Sequence, residues 1–207
     1  MKILVFGATG PTGQQIVLQG LELGYEITAF VRDPGRLQIK HPNLSVITGD
    51  VLDPISVLNA VNGHNLIMSA LGNGKSFKGK VFSIGIKNIV DAMNKYNTRR
   101  IIVMSAFGVG NSVKRVPFLP KIFYQTLLKS TFEDKEIGEK YLKQSNIDWT
   151  LVHPVILTNG LKSGNYKTGE FISVGTIPKI SRADVAEYML KLLSDKTSDK
   201  RTLMISY

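Results

Sequence analysis

A short glycine-rich segment near the N-terminus constrains the fold of this chain more than any other feature. Residues 7–13 read Gly-Ala-Thr-Gly-Pro-Thr-Gly, and they join an apolar run of four residues to an amphipathic stretch. In a strand–loop–helix unit of this kind, glycines allow a sharp turn, a close approach of the backbone to a pyrophosphate and tight packing of helix on strand. The N-terminus of the helix adds free N–H groups and a partial positive charge. The predicted contacts to a diphosphate are Gly7, Thr9, Gly10, Pro11, Thr12 and Gly13.

Short apolar runs alternate with longer amphipathic stretches along the rest of the sequence. The predicted strands are Lys2–Phe6, Glu26–Val31, Leu44–Thr48, Leu66–Ser69, Arg100–Met104, Trp149–Val152 and Leu203–Ser206. The predicted helices are Thr12–Leu23, Pro54–Val61, Lys80–Lys95, Leu119–Gln144 and Ser181–Leu193, the last with Ser181 as N-cap. Several strands are rich in Val and Ile, which is typical of strands buried on both faces. The pattern predicts an α/β fold, a single Rossmann-type domain over residues 1–207 with a doubly wound parallel sheet and helices on both faces.

The charge and the cysteine content narrow the functional classes. The chain has 26 Lys and Arg against 16 Asp and Glu, and this net charge of +10 favours an anionic partner, although it also serves solubility. Cysteine is absent, which excludes disulfides, thiolate nucleophiles and Cys-ligated metal centres and fits a reducing, cytoplasmic location. No secretory signal or membrane-spanning run is visible, so we expect no membrane partner. Aromatic and basic residues do not interleave as in RNA-binding motifs, and the isolated His41 and His64 favour no metal site.

Arginines near the end of the second predicted strand indicate which dinucleotide would bind. A carboxylate at that position binds the adenosine ribose diol, whereas guanidinium groups bind a 2′-phosphate. Arg32 stands at the expected position and Arg36 follows, which favours NADP over NAD, but Asp33 would reverse the choice after a shift of one residue. Asp50, after the third strand, can accept from the adenine amino group or cap the next helix. The remaining predicted contacts to the cofactor are Val51, Ala70, Leu71 and Gly72.

Two long irregular segments late in the chain are the predicted walls of a substrate site. They are residues 107–120 and 157–178, and both contain Gly, Pro and basic residues. Ligands of doubly wound sheets bind beyond the carboxyl ends of the strands, where these segments would lie. Apolar and aromatic side chains would cover a flat molecule and basic ones would bind its acidic groups, unless the first segment is a solvated loop. The predicted substrate contacts are Phe107, Lys114, Arg115, Phe118 and Tyr124.

Together, these motifs resemble the atypical short-chain dehydrogenase/reductase superfamily. The likeness rests on the glycine loop, the strand end Val31-Arg32 and the run Gly49-Asp50-Val51-Leu52-Asp53. It also includes Met104-Ser105-Ala106 and Trp149-Thr150-Leu151-Val152-His153-Pro154. The likeness covers nearly the whole chain and is closest to the flavin reductase/biliverdin-IXβ reductase group, followed by the NmrA-like NADP-binding proteins. It implies an NADP(H) cofactor and says much less about the substrate.

The resemblance also implies roles for residues after the fifth and sixth strands. Ser105 matches a serine that relays a proton with a Tyr-x-x-x-Lys pair in the wider superfamily, and Lys135 stands at the lysine position. Thr131 occupies the tyrosine position, and its hydroxyl is a far weaker acid than a phenol. Ser105 would contact the nicotinamide amide or the acceptor. His153 and Pro154 would lie beside the nicotinamide, although His153 can equally be a packed core residue.

Flavin and biliverdin reductases also lack this tyrosine, because a flavin or a tetrapyrrole delocalises the added charge and water can supply the proton. We therefore predict an NADPH-dependent oxidoreductase that transfers hydride from nicotinamide C4 to a planar conjugated acceptor, which is a flavin, a biliverdin-like tetrapyrrole or a quinone. The alternative is a non-catalytic NADP-binding sensor or assembly factor of the NmrA-like type, which Thr131 favours. We expect a monomer or a weak homodimer with this small-molecule partner.

Overall fold

The computed structural model describes residues 1–72, 80–110 and 128–207. Its strands are β1 Lys2–Phe6, β2 Glu26–Val31, β3 Leu44–Thr48, β4 Leu66–Ser69, β5 Arg100–Met104, β6 Asp148–Pro154, β7 Ile156–Thr158, β8 Lys167–Gly169, β9 Lys179–Ser181 and β10 Arg201–Ser206. Its helices are α1 Pro11–Glu22, α2 Pro54–Val61, α3 Val81–Tyr96, α4 Lys129–Lys143 and α5 Arg182–Lys191. Two short 3₁₀ turns are Pro34–Arg36 and Lys196–Ser198.

Eight strands form one sheet in the order β3-β2-β1-β4-β5-β6-β10-β8. Neighbouring strands are parallel except β10 and β8, which pair antiparallel at the edge. The strand order reverses at β1, because β2 and β3 lie on one side of it and β4 follows on the other. In open α/β sheets, ligands bind outside the carboxyl ends of the strands at such a switch point. The topology therefore places the glycine loop, which follows β1, at the expected ligand-binding edge.

Apolar side chains of the sheet alternate between two layers, because successive residues of a strand point to opposite faces. In β1, Ile3 and Val5 pack in the layer that includes buried residues of α1 and α5. Leu4 and Phe6 pack in the layer that includes buried residues of α2, α3 and α4. The predicted α/β fold with helices on both faces is confirmed.

Two differences from the sequence prediction concern the second half of the chain. The segment 157–178, expected to be irregular, contains most of β7 and all of β8. These three-residue strands pair with β9 and β10, which are distant in sequence, so no local periodicity reveals them. The helix predicted over 119–144 is observed as α4 in its described part, and residues 111–127 lie outside the described residues. In the described ranges, no helix has the length and apolar character needed to cross a bilayer.

Candidate functional site

A cleft of about 440 Å³ lies along the carboxyl ends of β1 to β5. The predicted cofactor residues that line it are Gly7, Thr9, Gly10, Pro11, Thr12, Arg32, Arg36, Asp50, Val51, Ala70, Leu71 and Gly72. The lining residues that were not among the predicted cofactor contacts are Phe30, Val31, Gly49, Val81, Met104, Leu157 and Arg182. The cleft thus unites the ends of five strands that are separated in sequence.

The glycine loop, residues 7–13, adopts a backbone that only glycine accommodates. Gly7 has a φ of 76°, and a Cβ on it would lie 2.6 Å from the carbonyl oxygen of Ala70. Gly13 does not line the cleft, because its Cα faces the carbonyl of Gly7 so closely that a Cβ would collide with it. Two of the three predicted roles are therefore seen in the backbone, since Gly7 makes the turn and Gly13 brings the helix against the loop.

The same loop leaves N–H groups free for an anion. Gly10 is the N-cap of α1, and because glycine has no side chain, it supplies no capping oxygen. Pro11 follows as the first helical residue. The first helical hydrogen bond runs from the N–H of Gln14 to the carbonyl of Gly10, at 2.8 Å. The N–H groups of Thr12 and Gly13 precede that bond and belong to the unpaired donors of a helix N-terminus. These donors and the partial positive charge of α1 fit a diphosphate.

Arg32 and Arg36 line the end of the cleft beyond β2, whereas Asp33 does not. The Asp33 carboxylate accepts the N–H of Gly35 at 3.0 Å and caps the 3₁₀ turn that ends at Arg36. This turn brings the second arginine back to the cleft. The sequence left open whether Arg32 or Asp33 stands at the ligand. Of these residues at the end of β2, Arg32 lines the cleft together with Arg36, and Asp33 does not.

Asp50 and Asp53 divide the two roles that the sequence left open for Asp50. Asp53 is the N-cap of α2, and its carboxylate accepts the N–H groups of Ile55 at 3.1 Å and Ser56 at 3.2 Å. Asp50 lines the cleft and accepts the N–H of Leu52 at 3.0 Å through Oδ1. Within the described residues, its other carboxylate oxygen makes no hydrogen bond that would keep it from an adenine amino group.

Glu139 of α4 is the centre of a buried polar network beside β5 and β6. Its carboxylate accepts from the Ser105 hydroxyl at 2.6 Å, bonds Nε2 of His153 at 2.7 Å and pairs with the Lys143 ammonium at 2.9 Å. Burial alone raises the pKa of Glu139, but the hydrogen bond to and electrostatic interaction with His153, the charge of Lys143 and the hydrogen bond from Ser105 outweigh burial and lower that pKa to about 2. Glu139 is therefore an anion at neutral pH, and it accepts the hydrogen bond that the Ser105 hydroxyl donates.

This network changes the expected roles of several residues. Ser105, His153 and Pro154, predicted to contact the nicotinamide, are buried and do not line the cleft. His153 is a packed residue, which is one of the two roles that the sequence allowed it. Phe107, predicted as a substrate contact, is 2% exposed and packs in the core, because the turn after β5 directs it inward.

Lys135, the predicted catalytic lysine, is also absent from the cleft lining. Its ammonium lies 4.2 Å from the ring centroid of Phe82 on the first turn of α3. Burial lowers the pKa of Lys135 to about 8, against the opposing effect of the carboxylates of Glu139 and Asp134. The other predicted substrate contacts, Lys114, Arg115, Phe118 and Tyr124, lie outside the described residues.

Arg182 and Glu139 are the functional residues that sequence reasoning missed. The pairing of β7 with β9 brings Leu157 and the following helix start, Arg182, to the cleft, although neither belongs to a recognisable motif. Glu139 stood in the sequence as the residue four positions after Lys135. That spacing on one helical face was the available signal that Glu139 points toward the sheet.

The glycine loop at a helix N-terminus, the paired arginines and the switch-point cleft define a dinucleotide-binding Rossmann protein. Residues 7–196 match the model of a family described as NAD(P)H-binding, and the chain belongs to that family. The predicted nicotinamide cofactor and the resemblance at the level of fold and cofactor family are thereby confirmed.

Similar proteins match this chain over nearly its whole length. An uncharacterized chloroplastic protein of Arabidopsis thaliana is 30% identical over 210 residues, which cover 96% of this chain and 74% of that protein. The photosystem II assembly factor Ycf39 of Cyanophora paradoxa is 27% identical over 218 residues, which cover 97% of this chain and 62% of that protein. Among solved structures, the anaerobillin reductase ChuY of Escherichia coli O157:H7 superposes with a TM-score of 0.84 at 20% identity, over 99% of this chain and 96% of ChuY. This last likeness shows a shared fold.

Proposed function

We propose that this chain is an NADPH-dependent reductase whose acceptor is a planar conjugated molecule, namely a flavin, a biliverdin-like tetrapyrrole or a quinone. Membership of the NAD(P)H-binding family supports a reductase in general. The choice of NADPH over NADH rests on Arg32 and Arg36 in the cleft and on Asp33, whose carboxylate is occupied by the N–H of Gly35. Two guanidinium groups at the end of β2, where Asp33 caps its own turn, favour a 2′-phosphate over a ribose diol.

The observation that carries the choice of acceptor is the hydrogen bond from the Ser105 hydroxyl to Glu139. The Ser105 hydroxyl donates its hydrogen bond to an ionised carboxylate. Its oxygen could therefore act toward the cofactor or the acceptor only as a hydrogen-bond acceptor. Thr131, at the position of the usual tyrosine, has a buried hydroxyl oxygen with no hydrogen-bond partner among residues 1–72, 80–110 and 128–207. Neither Ser105 nor Thr131 therefore offers an acid at the two hydroxyl positions where ketone-reducing relatives keep theirs.

Such a site suits an acceptor that needs no strong acid. When bound, NADPH supplies a hydride from nicotinamide C4, and a conjugated ring system delocalises the charge until solvent delivers a proton. The chain's own contribution is binding and alignment. The N-terminus of α1 holds the diphosphate, Arg32 and Arg36 hold the adenosine end, and the apolar Met104 and Leu157 line the opposite end of the cleft.

Turnover with a panel of acceptors tests this proposal. The protein is mixed with NADPH and FMN, biliverdin or menadione, and the nicotinamide absorbance band is followed. We expect oxidation of NADPH with at least one of these acceptors. We also expect Ser105→Ala to keep kcat within about fivefold, because the hydroxyl is not the proton donor. Absence of turnover with all three acceptors overturns the proposal, and a loss of kcat in Ser105→Ala of a hundredfold or more assigns the acid role to Ser105 after all.

A non-catalytic NADP-binding sensor or assembly factor is the second candidate. Two observations favour it, namely the likeness to the assembly factor Ycf39 and the absence of an acid at Thr131. Under this hypothesis, the protein retains NADP(H) without oxidising it and forms a stable complex with a protein partner. Co-purification of a partner whose release depends on the NADPH/NADP ratio, together with no turnover, would favour it. Release at every ratio would count against the sensor.

A further inference from the structure

We propose that Arg182 binds an anionic group of the acceptor, so that the preferred substrate is a planar molecule that carries a phosphate or a carboxylate. This inference rests on the proposed function, because it concerns the same cleft. It adds a specificity-determining residue and names the chemical class of the substrate.

Arg182 reaches the cleft through a small structural unit that the main sheet does not provide. β7 and β9 pair in parallel, with Leu157 opposite Ile180 and Thr158 opposite Ser181. The next residue, Arg182, is the first of α5, and it lines the cleft together with Leu157 and Met104. The β7–β9 pair therefore places a guanidinium beside two apolar residues.

Asp184 fixes the start of α5 and hence the position of Arg182. The Ser181 hydroxyl caps the helix by accepting the N–H of Asp184 at 2.9 Å. The Asp184 carboxylate in turn accepts the N–H groups of Ser163 and Gly164, each at 2.8 Å, and the hydroxyl of Tyr207 at 2.6 Å. A helix start held by this many bonds presents Arg182 from a fixed backbone.

The charges that line the cleft are Arg32, Arg36, Asp50 and Arg182. The first three follow β2 and β3, whereas Arg182 donates to Asn159 in the segment that follows β6 and β7, and β1, β4 and β5 separate β2 from β6 in the sheet. The first group faces the adenosine end, and the diphosphate belongs to the glycine loop between the groups. The dihydronicotinamide ring at the β5 end is neutral. The cofactor therefore has no anionic group of its own at the end where Arg182 lies.

Within the described residues, most N–H donors of the Arg182 guanidinium are not used by other protein groups. Its Nη1 donates to Oδ1 of Asn159 at 2.6 Å, and within the described residues it forms no ion pair. A guanidinium carries five N–H donors in a planar fork that suits two oxygens of one phosphate or carboxylate. The terminal phosphate of FMN and the propionates of a tetrapyrrole both offer such a pair of oxygens. A neutral quinone offers none.

Paired ligands that differ only in the anionic group test the proposal. Protein saturated with oxidised NADP is titrated with FMN against riboflavin, and with biliverdin against its dimethyl ester, by calorimetry. The variants are Arg182→Gln, Arg182→Lys and, as a charge-matched control, Lys179→Gln. Lys179 is exposed, lies on β9 and is not part of the cleft lining.

We expect the wild type and Lys179→Gln to bind at least one anionic ligand about tenfold or more tightly than its neutral counterpart, as a charge-assisted hydrogen bond requires. Arg182→Gln should bring that ratio to about one, Arg182→Lys should keep part of it, and the affinity for NADP should change less than about twofold. Discrimination in the flavin pair alone identifies a phosphate, and discrimination in the tetrapyrrole pair alone identifies a carboxylate.

Three results would overturn the inference. They are a wild type that distinguishes neither pair, an Arg182→Gln variant that keeps the ratio, and an Arg182→Gln variant that loses NADP affinity instead. Oxidised NADP cannot donate a hydride, so these titrations do not depend on turnover. A protein that shows the Arg182-dependent ratio but never oxidises NADPH refutes the reductase proposal and leaves the anion site standing.

Discussion

The two ends of the cleft are built in different ways. The adenosine end comes from loops that directly follow β1, β2 and β3, and its residues lie within the first 51 positions of the chain. The acceptor end combines Met104, Leu157 and Arg182, which belong to three elements that are far apart in sequence. One end therefore depends on local backbone conformation, and the other depends on how distant elements pack.

This difference predicts how each end responds to substitution. The adenosine end should fail abruptly when its backbone is altered, because glycine conformations and helix-terminal N–H groups have no substitute. Beside the other end, the residue after Met104, Ser105, donates to the buried Glu139, so substitutions in this network should act first on stability. The following predictions run from the largest expected effect to the smallest.

Substitution of Gly7 should have the largest effect. Gly7→Ala introduces strain at a φ of 76° and a Cβ only 2.6 Å from the Ala70 carbonyl oxygen. We expect the affinity for NADPH to fall by more than about a hundredfold, because the loop must move from the diphosphate. Gly24→Ala is the matched control, since Gly24 has a φ of 79° but open space around its Cα. Equal NADPH affinity of the two variants in a fluorescence titration would contradict the role assigned to the loop.

Replacement of Lys135 should show how much a buried ammonium group lowers the free energy of unfolding. With the folded-state pKa near 8 and an ordinary value of 10.5, the unfolded chain binds more protons between these values. The free energy of unfolding of the wild type should therefore rise from pH 8 to pH 10.5, by at most about 3 kcal/mol at about 1.4 kcal/mol per pKa unit.

Lys135→Met should be more stable than the wild type at pH 7 and should lack this rise in urea unfolding. Lys140→Met, on the exposed face of the same helix, serves as the control and should keep the rise. A rise that persists unchanged in Lys135→Met would show that Lys135 is not the group responsible.

Removal of both arginines should change the choice of cofactor. We expect the double variant Arg32→Gln, Arg36→Gln to lose about thirtyfold in affinity for NADPH, because charge-assisted hydrogen bonds to the 2′-phosphate disappear. The affinity for NADH should change less than about threefold, since NADH lacks that phosphate. Arg99→Gln, an exposed arginine outside the cleft lining, is the control. Parallel losses for NADPH and NADH would refute the assignment.

Glu139→Gln should have the smallest effect on the cofactor and a measurable effect on stability. The amide keeps the size of the side chain but weakens the bonds to Ser105 and His153, which should cost about 1–2 kcal/mol of unfolding free energy at neutral pH. NADPH affinity should stay within about threefold, because the network does not line the cleft. Glu133→Gln, exposed on the same helix, is the control, and equal stability of the two variants would contradict the account.

The same variant has a predicted pH dependence. The pKa of Glu139 is lowered to about 2 in the folded protein from an ordinary value of 4.5, so its contribution is complete above pH 4.5 and is lost as the pH falls toward 2. The stability difference between wild type and Glu139→Gln should therefore shrink over that range of acid. A difference that grows on acidification would reverse the sign and exclude Glu139 as its source.

The same contrast explains how much of the site could be read from the sequence. The turn over residues 7–13 could be predicted from the sequence, because the glycines meet local steric requirements. Arg32 could be placed because it stands at the end of a predicted strand. Arg182 could not be placed, because the pairing of β7 with β9 is long-range and each strand has only three residues. Phe107 was assigned to the substrate from its residue type, but packing decided its direction.

Burial was likewise beyond the sequence for Ser105 and Lys135. Their superfamily positions are recognisable, yet the partners that determine their chemistry are Glu139 on α4 and Phe82 on α3. Only the packing of these helices against β5 and β6 shows that Ser105 donates to a carboxylate. Whether the Ser105 hydroxyl is available as a donor therefore follows from tertiary structure.

A calorimetric titration of the unmodified protein with NADPH and with NADH tests the central claim most directly. The account predicts saturable binding of one NADPH per chain, at least about tenfold tighter than NADH because Arg32 and Arg36 bind the 2′-phosphate. Binding of neither cofactor, or tighter binding of NADH, would contradict it.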